Sequence, residues 1–102
     1  MGQIAIGDIM LTEVLQGFRA DKDFRIAKDL LTFLPIYNIL NTTIALKSSD
    51  NYRFLRKKGI TIRKTKDAII ATFCIENNHA LLHCDKDYEP FHKKLKLINA
   101  LD

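Results

Sequence analysis

Residues 65–91 read TKDAIIATFCIENNHALLHCDKDYEPF, and this stretch decides the fold. One acid, Asp67, opens a nearly all-apolar run, and two more, Asp85 and Asp87, stand just beyond the next run. Carboxylates beside buried segments are costly unless a cation or water compensates them. Thr65 reads as the cap of a helix running through Asn77, apolar enough to be buried on most sides. Asn78-His79 turns the chain into a short strand, ALLHC. The helix from Lys66 to Asn77 spans about 18 Å at ~1.5 Å per residue. The strand from Ala80 to Cys84 spans about 16 Å at ~3.3 Å per residue. These lengths match, so Asp67 at the helix start and Asp85 after the strand return to one edge of a sheet.

The rest of the chain repeats the alternation. Gln3–Gly7 (QIAIG) reads as a short strand, and LTEVLQGF as a helix capped by Thr12, with Glu13 in its first turn. Asp21 to Phe33 continues in helical register, with Phe24, Ala27, Leu30, Leu31 and Leu34 on one face. After Pro35, IYNIL reads as a buried strand. Asn41 caps a helix from Thr42 to Lys58, with Ala45, Ser48, Ser49, Tyr52 and Leu55 on its core face, and Gly59 stops it. DKDYEPFHKKL reads as a loop and short helix, and KLINAL as a final strand. Helices alternating with short apolar strands predict an α/β fold with a mostly parallel sheet, in a single domain over residues 1–102. Ligands of open parallel sheets bind at the carboxyl edge. Glu13, placed just after a strand, joins Asp67 and Asp85 there.

Composition narrows the function. The 102 residues are 47% hydrophobic, which excludes a disordered chain. No apolar run approaches the roughly 18–20 residues that span a bilayer, and MGQIAIGDIM has no signal-like pattern, so a cytoplasmic protein is expected. Ile6 stands where a myristoylation signal needs Ser or Thr. The formal charge is +4, but residues 51–102 carry eleven Lys/Arg against six acids, and seven of the eleven lie between Arg53 and Lys66. Such a stripe attracts phosphate backbones, although it also suits the solvated end of a helix. A cluster of carboxylates without a matching His/Cys set favours Mg²⁺ or Mn²⁺ over zinc. Taken singly, an acid in the first turn of a helix needs no metal, because the helix dipole favours it. Cys74, His79, His83 and Cys84 show no zinc spacing, and His83 and Cys84 would point to opposite faces of a strand.

LTEVLQGFR followed by YRFLRKKGITIRKTKDAIIATFCIENNHALLHCDKDYEPF resembles the PIN-domain proteins, specifically the VapC-type toxins of bacterial toxin–antitoxin pairs. The resemblance implies an α/β/α sandwich and a Mg²⁺- or Mn²⁺-dependent endoribonuclease that cleaves RNA phosphodiester bonds with a metal-activated water. Glu13 matches the acid of the EVLxG helix, Asp67 the acid before the IIA helix, and Asp85 and Asp87 the acids of a DxDF motif, written here DKDY. These four are the implied metal ligands, with Glu13, Asp67 and Asp85 catalytic. Thr65, Arg63, Lys64 and Arg56 are the implied RNA contacts. A VapB-type antitoxin and a second copy of the chain are the implied partners. Family members begin with a hydrophobic strand ending in Asp, and no such segment precedes QIAIG. The resemblance therefore implies an N-terminally truncated form without the first strand and first helix, leaving an apolar groove. That departure supports an alternative function: an inactive PIN domain that binds antitoxin or RNA. A receiver-like signalling domain lacks its acid pair and its later Lys.

Overall fold

The structure, a computed structural model, describes residues 5–81 and 88–99. The sequence-predicted positions Gln3, His83, Cys84, Asp85 and Asp87 lie outside the described residues. The order of elements is β1 (Ile6–Gly7), α1 (Asp8–Gln16), α2 (Asp21–Leu31), β2 (Ile36–Tyr37), α3 (Thr42–Lys57), α4 (Thr65–Glu76), β3 (Ala80–Leu81), α5 (Glu89–Leu95) and β4 (Ile98–Asn99). Both strand pairings, β1 with β2 and β3 with β4, are parallel, so the described chain is α/β with short parallel sheet segments. The chain divides into two compact units, Met1–Ile39 and Leu40–Asp102.

In the first unit, α1 begins at Asp8, not after Thr12. Gly7 holds the extended N-cap conformation, and the Asp8 carboxylate accepts hydrogen bonds from the Ile9 amide at 2.8 Å and the Ile39 amide at 3.2 Å. Asp8 thus starts the helix and ties it to the chain beyond β2. Thr12 is already inside the helix, its hydroxyl donating back to the Asp8 carbonyl at 3.0 Å. Gly7 leaves room for a close approach: a Cβ there would overlap the Ile39 side chain, itself 1% exposed, which would have to shift within a packed setting. The Ile6 amide donates to the Pro35 carbonyl, which brings β2 alongside β1. β2 is not a buried strand, because Ile36 and Tyr37 are 39% and 40% exposed. α2 ends at Leu31 and not at the expected Phe33. On it Phe24, Ala27 and Leu31 are half-buried as expected while Leu30 is exposed, and Leu34, half-buried, lies in the turn that follows.

The second unit carries most of the core. Asn41 caps α3 as its sequence predicts, its side-chain oxygen accepting from the Ile44 amide at 2.9 Å. The buried face of α3 is Ile44, Ser48 and Leu55, with Asn51 and Tyr52 half-buried. Ala45 and Ser49 are exposed, so the buried face lies one position before the expected one and takes in the larger apolar Ile44 in place of Ala45. Gly59 ends α3 at φ +83°, where the Ile60 amide returns to the Leu55 carbonyl. α3 and α4 pack against each other. Asn51 donates to the Thr72 hydroxyl at 2.9 Å, and Lys47 pairs with Glu76. As predicted, α4 is buried on most sides, through Asp67, Ala68, Ile70, Ala71, Thr72 and Cys74. Pro90 stands in the first turn of α5, whose Phe91 is fully buried. The Leu97 amide closes α5 on the Phe91 carbonyl, with Lys96 in the left-handed region at φ 66°.

Candidate functional site

The site is built at the N-terminal end of α4. Lys64, in extended conformation, is the N-cap and makes no side-chain capping bond, so Thr65 is the first helical residue and not the cap. Asp67 falls in the first turn, where an acid usually faces water or the free amides of the helix start. Here it does neither. Asp67 is 2% exposed, and the Tyr88 hydroxyl donates to its Oδ1 at 3.1 Å. Its Oδ2 is buried and meets no hydrogen-bond partner among the described residues. A carboxylate oxygen held out of water with nothing to accept from is expensive in a folded chain. A cation bound there would satisfy it, and a hard oxygen donor suits Mg²⁺ or Mn²⁺.

The basic residues flank this end of the helix. Arg56 and Lys57 sit in the last turn of α3, and the link that follows carries Lys58, Arg63 and Lys64 directly into α4. Arg56, Arg63, Lys64 and Thr65 are all exposed. The Arg56 guanidinium lies 5.5 Å from the centre of the Tyr52 ring, and the Lys58 ammonium 5.3 Å from that of Phe54. An exposed cationic segment, backed in part by the Tyr52 and Phe54 rings, therefore leads into the helix start that carries the buried Asp67 carboxyl.

The structure groups Asp67, Thr65, Lys64 and Arg63 within one turn of chain, with Arg56 on the preceding helix. Glu13 lies in the first unit, half-buried and in the middle of α1 rather than in its first turn, since Asp8 takes the helix start. Asp85 and Asp87 fall outside the described residues, but Asp87 directly precedes Tyr88 in sequence. Among the described residues no group of three His, Cys, Asp or Glu side chains is placed to hold a metal. Sequence reading missed Tyr88. Its only signal was a hydroxyl on an otherwise core-like ring, 8% exposed and 6.5 Å from Phe91 between ring centres.

Cys74 and His79, the described members of the Cys/His set, have structural roles. Burial pushes the Cys74 thiol up to about 11, which disfavours the thiolate that zinc requires. The His79 amide donates to the Cys74 carbonyl, and its ring stacks on Phe73 at 5.9 Å. A hollow of about 390 Å³ opens at the other end of α4, between Asn41, Lys47, Phe73 and Glu76. Nine residue steps along the helix, roughly 14 Å, take the chain from Asp67 to Glu76. No helix among the described residues is long and apolar enough to cross a membrane.

No family model matches the chain. A VapC ribonuclease from Mycobacterium bovis is 26% identical to it over 87 residues, covering 85% of this chain and 65% of the relative. Ribonuclease VapC11 from Mycobacterium tuberculosis, in strains CDC 1551 and H37Rv, is similar to the same extent. The chain spans 65% of the length of the curated relatives it matches.

Proposed function

We propose that this chain is a VapC-type, PIN-like endoribonuclease that uses Mg²⁺ or Mn²⁺, acting on RNA in the cytoplasm as the toxin of a toxin–antitoxin pair. The observation that carries this reading is the buried, unpartnered Oδ2 of Asp67 beside an exposed basic segment. The likeness to VapC ribonucleases supports it. Asp67 would hold the cation, with Glu13, Asp85 and Asp87 as further ligands. When bound, the ion supplies positive charge for the scissile phosphate and makes a water acidic enough to attack it.

The chain's own residues do the rest. Arg56, Arg63 and Lys64 bind and orient the RNA backbone through its phosphates, which gives affinity without sequence choice. Thr65, exposed beside Lys64, offers a hydroxyl to the same backbone. The apolar packing of α4 keeps water away from Asp67, which strengthens its attraction for a cation. A VapB-type antitoxin and a second copy of the chain are the partners this reading brings.

RNA cleavage by the purified chain, with Mg²⁺ and with EDTA, tests the proposal. Cleavage should require the metal and fall by about 100-fold or more in Asp67→Asn. Cleavage that survives EDTA would defeat it. RNA binding without cleavage at any Mg²⁺ concentration would favour an inactive binding module in its place.

A further inference from the structure

We propose that Tyr88 is a positioning residue for the cation: its hydroxyl donates to Asp67 Oδ1 and so favours coordination by this carboxylate through Oδ2 over coordination through both of its oxygens. The proposal rests on the reading of Asp67 as a metal ligand. It adds what sets the coordination mode and, through it, the choice of ion.

A carboxylate can bind a cation through one oxygen or through both. Ca²⁺ accepts either mode in a flexible shell of six to eight ligands, while Mg²⁺ demands near-ideal octahedral geometry at short distances. The two modes are separated by whatever holds the other oxygen. In this chain the holder is a phenol. Tyr88 is 8% exposed and Asp67 2%, so water does not compete for the bond between them. The ring has packing apart from its hydroxyl, since Tyr88, the N-cap of α5, is buried and its ring tilts against that of the fully buried Phe91 at 6.5 Å between centres. A phenylalanine would fill the same space and leave both carboxylate oxygens free. The hydrogen bond also fixes the plane of the carboxylate, so the ligand is preorganised and a cation pays little to order it.

Mn²⁺ binding to the purified chain without RNA, followed by loss of the free-ion EPR signal and with Ca²⁺ as competitor, tests the proposal. The wild type should bind Mn²⁺, and Asp67→Asn should not. Tyr88→Phe should weaken Mn²⁺ by ~10-fold, as loss of an outer ligand partner does, and should let Ca²⁺ compete more effectively. Cleavage by Tyr88→Phe should recover at high Mg²⁺, whereas that of Asp67→Asn should not. A merely structural tyrosine would change none of the ion preference. Unchanged Mn²⁺ affinity and Ca²⁺ competition in Tyr88→Phe, with Asp67→Asn still inactive in binding, would overturn the positioning role and leave the nuclease reading intact. Mn²⁺ binding that ignores Asp67→Asn would overturn both. Should Tyr88→Phe fail to fold, Mg²⁺ titration of the wild type with ¹³C-labelled tyrosine decides. The Tyr88 ring signals should shift with Mg²⁺ in the wild type and stay still in Asp67→Asn, and an unmoved wild-type ring overturns the proposal.

Discussion

Cys74 shows what α4 does to an ionisable side chain. It is 6% exposed, and burial raises its thiol from the ordinary value of 9.0 to about 11. Below pH 9 both folded and unfolded chains keep this proton. Between pH 9 and 11 the unfolded thiol ionises and the folded one does not, so stability falls as pH rises through that window, by roughly 2–3 kcal/mol. Urea unfolding of wild type and Cys74→Ala at pH 8 and pH 10.5 should show the loss in the wild type and a smaller one in the variant. Asp67 occupies the same helix, and the sequence marks it as an acid at the mouth of an apolar run; its burial, which the acid Glu76 at the other end of α4 does not share, was not legible. Tyr88 was not legible. Its hydrogen bond joins residues 21 apart, and nothing local marks a tyrosine that will meet a carboxylate.

At the scale of elements, legibility followed the chemistry of the ends. Asn41 and Gly59 were readable because an Asx cap and a left-handed glycine act within a few residues of themselves. Replacing Asn41 with Ala should cost about 1 kcal/mol, read as a lower urea midpoint with an unchanged denaturant slope. Thr12 and Thr65 misled because a threonine can also sit within a helix, Thr12 with its hydroxyl bonded back to the Asp8 carbonyl and Thr65 as the first helical residue after Lys64. At α1 the deciding contact is the bond from the Ile39 amide to Asp8, 31 residues away. IYNIL looked buried for a related reason: β-branched and aromatic residues signal strand, but not how many faces a strand will cover. Among the expected site positions, Arg63, Lys64, Thr65 and Asp67 stand together because one basic link and one helix start carry them, which follows from their sequence order alone.

Across the whole molecule, burial is lopsided. Of the buried hydrophobic side chains among the described residues, only Ile39 precedes residue 40, while Leu55, Ile70, Ala71 and Phe91 form the deepest layer of the second unit. Amide hydrogen exchange should therefore be slowest in α3 and α4 and much faster in α1 and α2, by an order of magnitude or more. Uniform protection along the chain would contradict this distribution. The first strand pair carries a different lesson, about time. β1 and β2 are two residues each, and α1 and α2 stand between them in the chain. Closing a loop of that length while it is still coil costs entropy that so few ladder bonds do not return. Once α1 and α2 have formed, the path between the strands is shorter and the same bonds suffice. This pairing is therefore expected to mark a late step in the folding of the first unit and not to drive its beginning.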